Sequence, residues 1–328
     1  MWNLCLILLG SIFMVGAMNE VFQSQHGILP QNGGRSLSGC AVVMPVQPFL
    51  KWPGGKRWVA PLVVHNIAPH LKHNYVEPFF GGGAVFFRLQ PKRAILSDIN
   101  PELVHCLRSV RDNVDRIVDR IRVWSNSKSC YYRVRKRRLY GGYGAAARLI
   151  YLTRTCWGGL YRVNQRGEFN VPFGNSGRPV CDFENLKACS RVLHRADIYC
   201  SDFEQVIELA SAGDVVYADP PYTTLGQNNG FVRYNERLFA WRDQERLAFA
   251  CKCAAHRGAF VIVSSLWHES ILGLYTGWWA ARVTRYSTVS AVRDGRRQVT
   301  EALVFSGRPL FNQLSSICEK LGVNVFRI

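Results

Sequence analysis

The sequence predicts an α/β protein with a Rossmann-like, doubly wound, mainly parallel sheet that is interrupted by an inserted helical and loop-rich segment. Short apolar strands alternate with helical stretches on both sides of a basic region that is rich in Gly and Tyr, and such alternation is typical of parallel sheets. We therefore expect the sheet domain to comprise 44–105 and 190–308, the inserted domain 106–189, and a C-terminal tail 309–328.

The elements of this prediction follow the chain in order. Residues 74–87 read as a strand, a glycine turn and the start of a helix. Apolar spacing predicts helices over 100–124, with Asn100 and Pro101 as N-cap and first-turn residues, and around 236–256. Five further strands are expected at 94–98, 196–202, 214–220, 259–265 and 301–306.

The charge of the chain points to a polyanionic partner. Its formal net charge is +18, and residues 101–180 hold 16 Lys and Arg against 5 Asp and Glu. Such an excess favours nucleic acid or an anionic membrane surface, although a solvated basic surface is the plainer alternative. The eleven cysteines include no CxxC pair, which favours reduced thiols over disulfides and provides no zinc-ligand spacing.

The first 43 residues are expected to be a non-native or unstructured leader. Residues 1–18 are apolar, but no Lys or Arg precedes Arg35, as a secretory signal would require. Organised sequence begins directly after Met44, so we expect translation to start there; an export signal or anchor is the alternative.

A glycine turn followed by an acidic strand end is the first functional signal. Gly81, Gly82 and Gly83 follow a strand and open a helix, and Asp98 ends the next strand. Glycines allow close backbone approach to a ligand, and a carboxylate in this position can accept hydrogen bonds from ribose hydroxyls. A purely structural turn would have the same residues.

The segment Lys51–Lys56, KWPGGK, is the second signal. It is not a nucleotide triphosphate loop, because Leu50 stands where that motif requires Gly and Arg57 where it requires Ser or Thr. A Lys and a Trp beside a glycine turn can hold a small anion and an apolar stem.

The third and sharpest signal is Asp219-Pro220-Pro221-Tyr222, at the end of an apolar strand. Ligands of open α/β sheets bind at the carboxyl ends of strands. Two prolines remove two N–H donors and fix the backbone, which leaves a carboxylate and rigid carbonyl acceptors beside an aromatic ring. Two acceptors suit the two hydrogens of an aryl amine. A proline turn with a capping Asp is the structural alternative.

These signals, in this order, resemble the Dam-type (class alpha, D12) DNA adenine-N6 methyltransferases. The resemblance covers about residues 48–306, and the stretch NQRGEFNVPFG is its most specific landmark. It implies that S-adenosyl-L-methionine is the methyl donor. The residues implied to hold it come from the three signals and from the segment Ser201-Asp202-Phe203: Trp52, Lys56, Phe80, Gly81, Gly83, Asp98, Asp202 and Asp219.

The resemblance also implies the catalytic and DNA-binding residues. Asp219, Pro220, Pro221 and Tyr222 would engage and stack on a flipped adenine. Residues expected to contact double-stranded DNA are Lys51, Trp157, Leu160, Arg162 and Pro172, with Arg135 and Arg137 on phosphates. The resemblance implies GATC or a related site as the target. Ser176 stands where the family has a DNA-contacting tyrosine, which weighs against GATC itself and leaves the chemistry unaffected.

The expected reaction is direct transfer of a methyl group to the adenine N6 amine, without metal, by a cytoplasmic monomer that needs no protein partner or membrane. Cytosine-N4 methylation usually goes with Ser in place of the first Asp, and protein glutamine or RNA methylation with Asn. A DNA-binding protein without catalysis and a membrane-anchored basic protein are the alternatives from other classes.

Overall fold

The computed structural model describes residues 46–328 apart from 140, 175–176, 178, 224–238, 287–297 and 311–314. The expectations for the leader, the start at Met44 and Ser176 lie outside the described residues. The described helices are α1 Ala60–Ile67, α2 Ala84–Leu89, α3 Pro101–Arg122, α4 Lys128–Lys136, α5 Gly142–Thr155, α6 Phe183–Leu193, α7 Phe203–Ile207, α8 Trp241–His256, α9 Glu269–Gly273 and α10 Ser315–Lys320.

The described strands form one sheet in the order β3-β2-β1-β4-β5-β7-β6-β8. Their bounds are β1 Tyr75–Glu77, β2 Ala94–Ser97, β3 Ala196–Tyr199, β4 Val215–Ala218, β5 Phe260–Leu266, β6 Trp279–Tyr286, β7 Gln298–Phe305 and β8 Asn324–Arg327. The first five strands in that order are parallel, and β7 and β8 are antiparallel to their neighbours. The fold class predicted from the sequence is confirmed.

Side-chain alternation along the parallel strands builds a hydrophobic core on each face of the sheet. Tyr75 and Tyr217 point into the core that α1 to α6 cover, whereas Val76 and Val216 point into the core beneath α7 and α8. The direction in which the chain adds strands reverses between β1 and β4. From β1 the chain adds β2 and β3 toward one edge of the sheet, and it then adds β4 and β5 on the other side of β1. The carboxyl ends of these two strands flank the crevice in which open α/β sheets bind ligands.

The inserted segment is continuous with the sheet domain. The expected boundary at residue 106 falls inside α3, a helix capped by Asn100, whose side chain accepts hydrogen bonds from the N–H groups of Glu102 and Leu103, as the sequence predicts. Tyr131 of α4 and Tyr151 of α5 are buried in the same core as the sheet. The buried apolar residues of the insertion therefore share one core with the sheet.

The expectation of a tail over residues 309–328 is wrong. Asn324–Arg327 pairs with β6 in antiparallel register, with Arg327 opposite Trp279. An edge strand presents unpaired backbone groups that a passing segment can satisfy, and four residues are too few to reveal that pairing by pattern. No helix in the described ranges is long and apolar enough to cross a bilayer.

Candidate functional site

The glycine turn after β1 positions the carboxylate of Asp98. The Gly81 N–H donates to Asp98 Oδ2 at 3.0 Å, and the Asn100 N–H donates to Asp98 Oδ1 at 2.9 Å. Burial raises the pKa of Asp98 above its ordinary value, and these backbone hydrogen bonds oppose the rise. Asp98 is thus a fixed acceptor at the carboxyl end of β2, where the sequence predicts it.

Aromatic and apolar side chains surround this turn. The Trp52 indole lies against it, since a Cβ added at Gly81 would sit 3.2 Å from Trp52 Cδ1. Trp52 also stacks on Tyr161 of the insertion, with ring centroids 4.6 Å apart. Ile99, directly after Asp98, is 71% exposed although it is apolar. These groups provide a flat, apolar surface beside a carboxylate.

The predicted acceptor motif lies at the end of β4, beside a buried lysine. Lys56 Nζ lies 3.0 Å from Asp219 Oδ1 and 3.7 Å from Glu301 Oε2 of β7, and it donates to the Gly54 carbonyl at 3.1 Å. It also lies 4.6 Å from the centroid of the Tyr222 ring. Lys56 is therefore surrounded by oxygen atoms of the acceptor motif and its neighbours.

Tyr222 is held by its hydroxyl. The hydroxyl donates to Glu301 Oε2 at 2.7 Å and lies 3.0 Å from Ser264 Oγ of β5. Pro220 is buried and Pro221 is half-buried between Asp219 and this ring. The motif is consequently a conformationally restricted segment that carries hydrogen-bond acceptors and ends in a fixed aromatic ring.

Burial raises the pKa of Asp219 above its ordinary value, Glu301 raises it further, and the Lys56 ammonium opposes both. On the neighbouring strand β1, burial raises the pKa of Glu77 well above its ordinary value, although Glu77 accepts a hydrogen bond from the Tyr75 hydroxyl at 2.9 Å. Asp219 and Glu301 thus converge on one ammonium group, that of Lys56. No cluster of three or more His, Cys, Asp and Glu in the described part of the chain could hold a metal ion.

Asp202 is placed differently from the other predicted cofactor residues. Its side chain caps α7 by accepting from the Glu204 N–H at 3.0 Å, and it accepts from Arg246 Nη2 at 2.9 Å. Arg246 also contacts Glu204. Asp202 lies just beyond the carboxyl end of β3, and its carboxylate belongs to an ion-pair network with α8.

The segment with the most family-specific residues forms a small hairpin. Val163 and Phe169 pair in antiparallel fashion across the turn NQRGE. Arg162 Nε donates to Asn170 Oδ1 at 2.8 Å, which orients an exposed guanidinium group. Beside the hairpin, the Trp157 N–H donates to the Pro172 carbonyl at 2.9 Å, and the indole is 56% exposed.

The structure brings five of the predicted DNA-binding residues together and separates the other two. The Lys51 side chain packs on Gly159, which lies in the chain between Trp157 and Leu160. The Trp157 N–H binds the Pro172 carbonyl, and Arg162 follows in the same loop. The five residues of this surface are Lys51, Trp157, Leu160, Arg162 and Pro172. Arg135 lies behind it, because its guanidinium donates to the Val171 carbonyl at 3.0 Å and packs on the Tyr132 ring. Arg137 is exposed at the end of α4.

Three residues of the site were missed from the sequence. From the sequence, Glu301 was placed only in a strand, although a carboxylate in an otherwise apolar strand indicates a functional residue. Tyr161 stands between two predicted DNA contacts, and nothing in the sequence showed that its ring stacks on Trp52. Ile99 stands beside Asp98, and nothing in the sequence showed that its apolar side chain is exposed.

A doubly wound sheet with a fixed carboxylate, Asp98, and an Asp-Pro-Pro-Tyr motif at its switch point is the arrangement expected of a methyltransferase that acts on amino groups. The chain belongs to the D12 class of N6 adenine-specific DNA methyltransferases, whose family model matches residues 52–291. It therefore transfers methyl groups to adenine in DNA.

Relatives of known activity cover most of the chain. The Type II methyltransferase M.MjaIII of Methanocaldococcus jannaschii is 35% identical over 288 residues, which are 80% of this chain and 100% of that protein. The DNA adenine methylase of Vibrio cholerae is 31% identical, covering 78% and 94% of the two chains. The DNA adenine methylase of Escherichia coli is 33% identical, covering 68% and 81%.

Proposed function

We propose that the methyl donor is S-adenosyl-L-methionine and that it binds in the crevice between the glycine turn and the Asp219 motif. Three features suit it: the fixed Asp98 carboxylate for ribose hydroxyls, the exposed Ile99 for an adenine face, and Trp52 over the turn. The proposed cofactor residues are those of the sequence prediction: Trp52, Lys56, Phe80, Gly81, Gly83, Asp98, Asp202 and Asp219.

The bound cofactor supplies an electrophilic methyl group on a positively charged sulfur. The target adenine leaves the base stack, at a cost of about a few kcal/mol, and its N6 amine donates one hydrogen bond to Asp219 and one to the Pro220 carbonyl. Pulling on both hydrogens directs the nitrogen lone pair toward the methyl group. The Tyr222 ring stacks on the base, Pro221 keeps the acceptors rigid, and the amine proton leaves to solvent through Asp219.

The DNA side of the proposal rests on the surface formed by the hairpin. Arg162 would recognise a guanine, because a guanidinium group can donate two hydrogen bonds to guanine O6 and N7. Lys51, Leu160 and Pro172 would contact neighbouring bases. The Trp157 indole would insert between base pairs of the duplex. Arg137 would contact phosphate. We propose double-stranded DNA containing GATC or a related site as substrate, for a cytoplasmic monomer that needs no protein partner or membrane.

The observation that carries this proposal is the ion pair that holds Asp219 at the switch point. Asp219→Asn should abolish methyl transfer and leave DNA affinity unchanged, because it removes the carboxylate charge beside the amine, replaces one of the two acceptor oxygens by a donor, and changes no phosphate contact. Asp197→Asn, at an exposed position of β3, is the control and should retain activity. Labelled methyl transfer and DNA binding are measured on the same preparations; near-normal turnover by Asp219→Asn would disprove the role.

A further inference from the structure

Glu301 is a carboxylate in a place that favours an apolar side chain. It is 1% exposed, and Ala302, Leu303, Val304 and Phe305 that follow it in β7 are all buried and apolar. It pairs opposite Leu266 of β5 and Val283 of β6. Burying a charge is costly unless the charge is paired, so a strand built for packing alone would not select this residue.

The first effect of Glu301 is on the orientation of Tyr222. Its carboxylate accepts the Tyr222 hydroxyl at 2.7 Å, which fixes the far end of the ring. Lys56 Nζ lies over one face of that ring. A base can therefore stack only on the opposite face, and Glu301 determines where that face points.

The second effect is on the charge beside the reacting amine. During methyl transfer, positive charge moves from the donor sulfur to the N6 nitrogen. Asp219 paired with Lys56 alone would be a neutral pair and a weakened acceptor. Glu301 shares the same ammonium group, so the cluster has two carboxyl groups and one ammonium group. With both carboxyl groups ionised the cluster has a net negative charge, which would stabilise the cationic nitrogen of the transition state.

We propose that Glu301 is a positioning residue for methyl transfer: it orients the Tyr222 ring and adds a second carboxyl group to the Lys56–Asp219 pair beside the amine. This proposal rests on the proposed roles of Asp219 and Tyr222. It concerns a residue that acts through those two side chains and does not itself touch the substrate.

A pH profile separates this role from a structural one. The groups that face Asp219 from the surrounding elements are Lys56 before α1, Glu77 of β1, Tyr217 of β4, Tyr222, Ser264 of β5 and Glu301 of β7. Glu301→Gln removes a carboxyl group near the Asp219 carboxylate, and the Lys56 ammonium group then pairs with Asp219 alone. Both changes favour ionised Asp219, so the acid limb of the methylation rate should move to lower pH.

The experiment measures single-turnover methylation against pH, with saturating labelled S-adenosylmethionine and unmethylated DNA. Glu301→Gln should slow transfer at neutral pH by up to about 100-fold, the scale of a mispositioned reacting group, with DNA affinity unchanged. Tyr222→Phe should also slow it. The double variant should be no slower than the slower single variant, because both changes remove the same contact.

Asp214→Asn is the matched control. Asp214 is also a buried carboxylate, but it lies at the amino end of β4 and accepts from the Asn74 and Ser211 N–H groups. Its substitution should lower stability and leave the pH profile unmoved. The proposal is overturned if the acid limb of Glu301→Gln does not move, if the two losses multiply, or if Tyr222→Phe reacts at the wild-type rate.

Tyr222→Phe keeps the test available if Glu301→Gln does not fold. An inactive Asp219→Asn combined with an unmoved Glu301→Gln profile refutes the positioning role alone. An active Asp219→Asn refutes the proposed role of Asp219, on which this inference rests.

Discussion

Replacing Gly83 with Ala should destabilise the protein by way of Phe80. Gly83 has φ +67°, and an added Cβ would lie 2.3 Å from Phe80 Cζ. The left-handed conformation costs a non-glycine residue about 1–2 kcal/mol. Phe80 is 2% exposed and packs on Phe86 and Phe87, so moving its ring adds an overpacking cost of about 1–3 kcal/mol.

The expected loss is therefore about 2–5 kcal/mol in the free energy of unfolding, or a fall in Tm of roughly 5–15 °C. Gly82→Ala is the control, because Gly82 lies outside the left-handed region and its added Cβ would meet Trp52 Cβ at an ordinary 3.4 Å. It should cost less than about 1 kcal/mol. Thermal and urea unfolding without cofactor measure both variants.

Equal losses in the two variants would refute this reasoning. So would a Gly83→Ala protein of normal stability that binds S-adenosylmethionine weakly, since Gly83 would then act through direct contact with the cofactor and not through the space it leaves for Phe80.

Two further predictions concern DNA reading and pH. Arg162→Ala should reduce discrimination against single-mismatch duplexes by about 1–3 kcal/mol, whereas Arg137→Ala should weaken all duplexes alike and flatten the slope of log K against log salt by about 1. Binding across a salt series checks both, and uniform weakening by Arg162→Ala would contradict the base-reading role. Glu77→Gln should raise stability at neutral pH: because burial raises the pKa of Glu77 well above 4.5, folding takes up a proton, and wild-type stability falls as pH rises through that window. Urea unfolding at several pH values tests this, and parallel curves for the two proteins would count against it.

The parallel half of the sheet could be predicted because its strands are apolar, short and separated by helices with clear spacing. The acceptor motif could be placed for a related reason, since a polar residue that ends a buried strand of an open α/β sheet lies at the binding edge. Asp98 and Asp219 both follow such strands, and both lie at that edge.

The remaining parts depend on contacts between distant residues. Lys56 and Glu301 are far apart in the chain, and only the antiparallel pairing of β7 with β5 brings them within 3.7 Å. Arg135 shows a second limit. The basic run predicts a phosphate contact at this position, which stays a prediction, and the structure adds a hydrogen bond from its guanidinium group to the Val171 carbonyl. Charge composition cannot show which arginine of a run makes such an internal contact.

The shared core of the insertion has a consequence for how such an enzyme changes its target. α3 has 22 residues with a kink at Asn113, a helical length of about 33 Å, and it starts beside Asp98 and ends among the helices of the insertion. Transplanting the whole insertion from a relative would cut this helix and leave mismatched packing on both sides. Exchange limited to the hairpin 162–170 would leave the core intact. New DNA specificities should therefore arise by substitutions within that hairpin and not by exchange of the whole domain.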